Sequence, residues 1–189
     1  CLTWSEAAQQ LRQRVGLLRQ YHAAAQWPDF TDDALLASLA DWLGPYLGTI
    51  GKSAALAQLP LHEALLQRLS YSQQQQLNQL LPTHWQAPTG SRISIDYCTD
   101  AGPRLSVRVQ EMYGQLSSPA VLQGQLNITV ELLSPSRQPL QVTQNLASFW
   151  QNAWQEVRKE MRGRYPKHYW PEDPAQAMPT TKTKKAMLK

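Results

Sequence analysis

The chain has few of the features that would cross-link it or place it in a membrane. Its 189 residues include only two cysteines, Cys1 and Cys98, so at most one disulfide could form between them. No apolar run approaches the roughly 18 residues that a membrane-spanning helix needs, and no charged segment followed by an apolar one opens the chain. These absences exclude a disulfide-rich scaffold and predict a protein of the reducing cytoplasm without membrane association.

An initiator Met is also missing, because the first residue is Cys1. A processed bacterial lipoprotein begins with a lipid-bearing Cys as well. Here Leu2 and an amphipathic helix follow directly, without the polar tether that such anchors carry. We therefore interpret the chain as a segment of a longer protein and hold lipidation as the alternative.

Motifs for independent catalysis are incomplete. GTIGKS at residues 48–53 is similar to the end of a phosphate-binding loop, but Tyr46 stands where the first Gly belongs and a helix precedes it. LHEALL at 61–66 has Leu66 in place of the second His of a zinc-protease helix. The histidines lack metal-ligand spacing: His22, His62, His84 and His168. We expect no catalytic, cofactor-binding or metal-binding residue in this chain.

Helical spacing dominates residues 1–88. An apolar stripe runs through Trp4, Ala8, Leu11, Val15 and Leu18, after a capping box from Thr3 to Glu6. Thr31 is the predicted cap of a second helix, which Gly44 and Pro45 should end. Further helices are predicted at 53–58, at 61–69 and after a cap formed by Ser72 with Gln75. Four to five helices should therefore form the first subdomain.

Alternating apolar and polar residues in 89–174 predict a small sheet. The strands should cover about 93–97, 105–109, 126–132 and 140–142, with CTDAGP as a hairpin turn. Helical spacing then returns over 145–162, with Asn145 as the cap and Gly163 as the stop. We predict an α+β fold in which a long amphipathic helix covers an antiparallel sheet of about four strands, followed by a loosely ordered basic tail at 175–189.

Positive charge is concentrated at the C-terminal end. Residues 1–88 hold five Lys/Arg and six Asp/Glu, and residues 89–157 hold four and five. Residues 158–189 hold nine Lys/Arg against three Asp/Glu, a net charge of +6. Any anionic partner should therefore bind near this end of the chain.

The segment RGRYPKHYWPEDP at 162–174 mixes cations, aromatic rings and prolines. Cations neutralise phosphates and aromatic faces stack on unpaired bases, which suggests RNA contact. Alternatively, the prolines hold the segment extended while its rings pack on the domain, and we expect this packing for Tyr165 and Trp170. The candidate RNA-contacting residues are Arg158, Lys159, Arg162, Arg164, Lys167, His168, Tyr169 and Trp170, with Arg92, Arg104 and Arg108 on the predicted exposed sheet face as second-tier candidates.

Several longer stretches of the sequence resemble those of a known protein family. VQEMYG, LLSPSRQPLQVTQNLASFW and EVRKEMRGRYPKHYWPEDP, with the upstream WSEAAQQLRQRV, WPDFTDDALL and WLGPYLG, cover nearly all of the chain. Together they resemble the C-terminal region of bacterial HrpB-type, DEAH-box ATP-dependent RNA helicases. No simple periodicity generates such strings, so the resemblance is specific.

The resemblance implies an accessory module of a larger RNA helicase whose ATP and Mg sites lie in helicase domains outside this chain. No family catalytic residue has a matching position here, so the segment alone should not hydrolyse ATP. The implied partners are RNA, through nonspecific contacts, and the helicase core of the same parent chain. The alternative is a protein-interaction platform that docks a partner protein without binding RNA.

Overall fold

The computed structural model describes residues 3–23, 25–47 and 59–188. The chain divides into two compact units, Cys1–Leu81 and Pro82–Lys189. The sequence placed this boundary at residue 88. Residues 82–88 belong to the second unit because His84–Gln86 pairs with Arg92–Ser94. The predicted helix at 53–58 lies outside the described residues.

Helices build the first unit. They are α1 (Glu6–Tyr21), α2 (Asp32–Ala37), α3 (Leu39–Leu47), α4 (Leu61–Leu66) and α5 (Tyr71–Leu80). The predicted stripe of α1 is confirmed, because Ala8, Leu11, Val15 and Leu18 are all buried. Buried leucines on the later helices, among them Leu35, Leu43, Leu65 and Leu77, complete this core.

Helix ends in this unit differ from the sequence prediction. Ser5, rather than Thr3, caps α1 by accepting a hydrogen bond from the amide of Ala8, and Ser70 with Gln73 forms the capping box of α5 in place of Ser72. The predicted stop at Gly44 and Pro45 is wrong, because α3 continues through both residues to Leu47. Several Ser and Thr residues near each start satisfy the same cap pattern, so only the packing of each helix decides which one is used.

Short strands build the sheets of the second unit. They are β1 (His84–Gln86), β2 (Arg92–Ser94), β3 (Arg104–Arg108), β4 (Ala120–Val121), β5 (Leu126–Asn127), β6 (Thr129–Leu133) and β7 (Pro139–Thr143). Among the described residues the three-stranded sheet has the order β3-β6-β7, and β1-β2 and β4-β5 form two-stranded antiparallel ladders. The α+β class is confirmed, while the predicted count of about four strands was approximate.

The sequence expectation of an entirely antiparallel sheet is wrong for one pair. β3 runs parallel to β6, with Leu105 opposite Val130 and Val107 opposite Leu132, whereas β6 and β7 are antiparallel. The predicted hairpin around CTDAGP is reduced to one antiparallel bridge between Asp96 and Arg104. Parallel pairing needs a long crossover, which residues 109–128 supply with two 3₁₀ turns and the β4-β5 ladder. Alternation alone does not distinguish the two orientations.

The predicted covering helix spans α6 (Leu146–Ser148), a π-helical turn (Phe149–Ala153) and α7 (Trp154–Arg164). Asn145 caps it through its side chain, as predicted, but the helix runs past Gly163 and ends at Arg164. Its large apolar side chains are buried, including Trp154 and Met161, which are both 0% exposed. Trp154 lies edge-on to Tyr113 with ring centroids 5.6 Å apart, so the helix packs on the segment that follows β3.

The segment 175–188 makes more contacts than a loosely ordered tail would. The amide of Thr180 donates to the Gln110 carbonyl at 2.9 Å, and Thr180 is 7% exposed. A short helix, α8 (Lys184–Met187), follows. Within the described part of the chain, no helix is long and apolar enough to cross a membrane.

Candidate nucleic-acid interface

Trp170 packs inside the second unit. It is 5% exposed, its indole N–H donates to the Tyr165 carbonyl at 3.0 Å, and its ring lies 6.1 Å from that of Trp154. Trp154 in turn donates to the Pro171 carbonyl at 3.0 Å. We call residues 165–174 the strap, since Trp154 and Arg158 of α7 hold this segment through hydrogen bonds to the carbonyls of Pro171 and Trp170. The segment is not extended throughout, because the amide of His168 donates to the Tyr165 carbonyl in a turn. Trp170 is therefore a packing residue as expected, and its ring has no face free for a base.

The neighbouring rings are also engaged. The Tyr169 carbonyl accepts a hydrogen bond from the Tyr113 hydroxyl at 3.0 Å, and the two rings meet edge to face. Burial, with a smaller contribution from Tyr169, raises the pKa of Tyr113, so its phenol stays protonated. The Tyr165 hydroxyl bonds to Ser134 and Ser136, and these two bonds lower its pKa. Tyr169 keeps partial exposure and is the ring of the candidate set that could still meet a base.

Arg158 closes the strap onto α7. Its Nε donates to the Trp170 carbonyl at 3.1 Å and its Nη2 lies 3.2 Å from Glu172 Oε1. Its side chain is 17% exposed. From the sequence, Arg158 was a candidate for phosphate contact. In the structure its contacts with Trp170 and Glu172 join the strap to α7, and we call this arrangement the clasp.

Several other candidate cations are already paired with carboxylates. Arg164 lies 3.2 Å from Glu160, Arg104 lies 2.7 Å from Glu131, and Arg108 lies 2.9 Å from Glu111. Burial raises the pKa of Glu111, but hydrogen bonds from Ser91, Arg108 and Thr89 outweigh it and the pKa is lowered overall. Glu111 thus stays ionised and holds Arg108 in place.

Lys159, Arg162 and Lys167 are the candidates left for an external anion. All three are exposed, and no carboxylate among the described residues forms an ion pair with them. Within 158–188 the acidic groups are occupied elsewhere: Glu160 and Glu172 bind arginines, and Asp173 accepts the amide of Ala175. Arg92 is exposed as well, on β2. We call Lys159, Arg162 and Lys167 the cationic edge.

His168 is half-buried beside this edge. Its Nδ1 is buried and has no hydrogen-bond partner among the described residues. Burial lowers its pKa, and the charge of Arg108 lowers it further. His168 is therefore neutral near pH 7 and adds no positive charge to the cationic edge.

The fold brings Lys184, a lysine of the predicted basic tail, into this region. The amide of Lys184 donates to the Lys167 carbonyl at 3.0 Å, and its Nζ lies 3.1 Å from the Pro166 carbonyl. A lysine of the predicted tail therefore lies beside a lysine of the strap. Charge counting placed both in the same basic segment, but only the fold shows that they are neighbours.

The described residues do not build a metal centre or a complete nucleotide loop. They contain no group of three or more His, Cys, Asp or Glu side chains placed to hold a metal ion. Tyr46, which replaces the first Gly of a phosphate loop, lies inside the helix α3, where a strand would be required. Residues 48–53 themselves lie outside the described part.

The fold and this surface define an α+β module whose cationic edge is carried by α7 and by the packed aromatic strap. Comparison with known proteins specifies it further. The family described as ATP-dependent helicase C-terminal matches residues 42–174. This match covers more than half of the chain, so the chain belongs to that family, and the resemblance seen in its sequence is confirmed.

Individual relatives agree with this assignment. The chain is 45% identical over 184 residues to the ATP-dependent RNA helicase HrpB of Escherichia coli, covering 97% of the chain and 23% of the relative. Two crystal structures of the Escherichia coli protein, described as a DExH-box NTPase and a DEAH/RHA helicase, match with TM-scores of 0.89 and 0.75 at 44% and 43% identity. These matches cover 96% and 89% of the chain but 22% and 21% of those structures. The chain thus spans less than a quarter of the relatives it matches.

Proposed function

We propose that this chain is a non-catalytic accessory module of a bacterial, cytoplasmic ATP-dependent RNA helicase and that it contributes nonspecific contacts to the RNA backbone. ATP and Mg would bind in other domains of the parent protein. Membership of the helicase C-terminal family supports the accessory role. The carrying observation for RNA contact is the cationic edge, whose three side chains are exposed and have no carboxylate partner among the described residues.

The chemistry of this edge suits a phosphodiester chain. Exposed Lys and Arg side chains neutralise phosphates and release counterions, which gives salt-dependent affinity without sequence preference. The aromatic residues of the strap add little base recognition, because Trp170 is buried, the Tyr165 hydroxyl is bonded to Ser136, and only the partly exposed ring of Tyr169 remains for stacking. Binding should therefore be steeply salt-dependent and nearly independent of base identity.

A salt series with a charge-matched pair of variants tests this proposal. Binding of a labelled single-stranded oligouridine is measured for the 189-residue chain, for Arg162→Gln with Lys167→Gln, and for Arg19→Gln with Arg137→Gln. Removing two cations that each neutralise a phosphate should lower the slope of log K against log salt by about 1.4. The control pair removes the same net charge at exposed sites outside the edge, where Arg19 pairs with Asp29.

The control pair should keep the wild-type slope. Equal salt slopes for all three proteins would show that the cationic edge does not contact RNA. An equal decrease of the slope in both double variants would show that net charge, rather than the position of the cations, determines binding. Absence of RNA binding at low salt would reject RNA contact by this module.

A protein-interaction platform is the second candidate, favoured by apolar side chains exposed on the first unit. Leu36 is 66% exposed and Tyr71 is 77% exposed. Burying large apolar side chains against a partner lowers the free energy of the complex, so exposed ones favour association. If the helicase core of the parent docks there, Leu36→Ser with Tyr71→Ser should weaken its association with this chain, whereas Arg162→Gln with Lys167→Gln should not.

A further inference from the structure

The C-terminal segment 175–188 adds its own lysines to the region of the cationic edge. Two main-chain hydrogen bonds seat it, from Thr180 to the Gln110 carbonyl and from Lys184 to the Lys167 carbonyl. The Lys184 ammonium also donates to the Pro166 carbonyl at 3.1 Å. Lys182 and Lys185, both exposed, flank Lys184 in the chain. Docking of this segment therefore concentrates positive charge next to Lys167.

Apolar packing contributes little to the stability of this docked arrangement. Thr180 is the only buried residue from 175 to 188, and Met178 is 75% exposed. Little apolar area is therefore removed from water when the segment docks. The free energy of docking must come mainly from a few hydrogen bonds, each of which contributes about 0.5 to 1.5 kcal/mol.

The residue that receives the Thr180 hydrogen bond, Gln110, carries an unsatisfied polar side chain. Gln110 is 1% exposed, and neither Nε2 nor Oε1 of its side chain has a hydrogen-bond partner among the described residues. The side chain of Gln110 therefore contributes no hydrogen bond that would strengthen docking of the segment. Repulsion between the gathered lysines opposes docking. Docked and released states of the segment should therefore be close in free energy.

We propose that the strap and the docked segment form one composite phosphate-binding surface and that docking of the segment and binding of single-stranded RNA stabilise each other. This rests on the proposed function, since it names further contact residues, Lys182, Lys184 and Lys185, for the same ligand. RNA phosphates offset the repulsion that docking creates, so RNA binds the docked state more tightly. By linkage, RNA must then favour docking by the same factor.

One pair of variants isolates docking from charge. Thr180→Pro removes the N–H that donates to Gln110 and keeps every lysine, whereas Thr180→Ser keeps both the N–H and the hydroxyl. With oligouridine as the probe, Thr180→Pro should bind about 5-fold more weakly than wild type or worse, and its salt slope should be lower by about 0.7 for each phosphate that the displaced lysines no longer neutralise. Thr180→Ser should bind as wild type does. Circular dichroism and tryptophan fluorescence check that both variants fold.

Hydrogen exchange in the wild-type chain supplies a test without any variant. The Thr180 amide is buried against Gln110, so RNA bound to the lysines does not cover it directly. Oligouridine should slow exchange at this amide by about the coupling factor, roughly 5-fold. Exchange at the amide of Ala8, in the first unit, serves as the control and should not change.

The outcomes separate the two proposals. If wild type binds RNA, but Thr180→Pro binds within about 2-fold of it and Thr180 exchange is unaffected, then docking is not coupled and this inference is wrong while the proposed function stands. Slowed exchange supports the inference even if Thr180→Pro does not fold. If wild type does not bind oligouridine at low salt, both proposals are rejected.

Discussion

Arg158 offers a direct test of whether a candidate RNA residue is structural. Changing Arg158 to Ala removes the hydrogen bond to the Trp170 carbonyl at 3.1 Å and the contact with Glu172 at 3.2 Å. A hydrogen bond from a charged group contributes about 1.5 to 3 kcal/mol. Glu172 is 86% exposed, so its ion pair adds at most about 1 kcal/mol. We expect Arg158→Ala to lower the free energy of unfolding by about 1.5 to 3 kcal/mol, mostly through the strap.

Urea unfolding followed by tryptophan fluorescence measures this decrease, because Trp154 and Trp170 lie at the contact. For an m-value of about 2 kcal/mol per molar urea, a decrease of about 2 kcal/mol moves the unfolding midpoint by about 1 M. Lys159→Ala is the matched control, since it removes one exposed charge from the next position of α7. The control should change stability by less than about 0.5 kcal/mol.

RNA binding provides the complementary measurement. If Arg158 acts only as a clasp, Arg158→Ala should change the salt slope of RNA binding less than Lys159→Ala does. Equal stability of the two variants, together with a lower salt slope for Arg158→Ala, would refute the clasp and return Arg158 to the phosphate contacts.

Three further predictions concern stability. Arg14→Ala should lower the free energy of unfolding in urea by about 1.5 to 3 kcal/mol, because the buried guanidinium donates to the Leu81 carbonyl at 2.7 Å and to Asn78 at 2.8 Å. Trp154→Phe should lower it by about 1 to 3 kcal/mol, since it leaves the Pro171 carbonyl unpaired and a void in a site that is 0% exposed, and differential scanning calorimetry should show a lower Tm. His168 has a pKa that burial and Arg108 lower below its ordinary value of about 6.5, so the unfolded chain binds more protons there as the pH falls. Wild type should therefore lose more stability than His168→Gln when the pH is lowered from about 7 to 5.5 in parallel urea titrations, and identical decreases would contradict the pKa shift.

Much of the secondary structure was predictable because local spacing encodes it. The stripe of α1 and the run from Leu146 to Met161 recur at three and four residues, and both are buried as expected. Helix ends were harder to place. Ser5 and Ser70 act as caps although Thr3 and Ser72 also fit the cap pattern, because packing decides which polar side chain reaches an open amide.

Strand orientation could not be predicted from alternation. β3 and β6 show the same apolar period whether they run parallel or antiparallel, and the choice depends on how residues 109–128 cross between them. The split of the predicted third strand into β5 and β6 likewise depends on the partner that each half finds.

The candidate site was likewise predictable only in part. Composition located the positive charge at the C-terminal end, and the proline-rich spacing correctly predicted that Trp170 packs. Composition could not separate Arg158 from Arg162 and Lys167, because the carboxylate that binds Arg158, Glu172, lies 14 residues further along the chain, whereas Arg162 and Lys167 have no carboxylate partner among the described residues. The pair of Arg164 with Glu160, by contrast, follows the four-residue spacing of a helix.

The sequence by itself determined the helicase C-terminal family, the α+β class and the basic C-terminal end, since strings of residues, local periodicity and charge are all read along the chain. Tertiary structure decided the parallel pairing of β3 with β6, the burial of Arg14 and the placement of Lys184 beside Lys167. Each of these depends on contacts between residues far apart in sequence, and such contacts are set by how elements pack rather than by any local pattern.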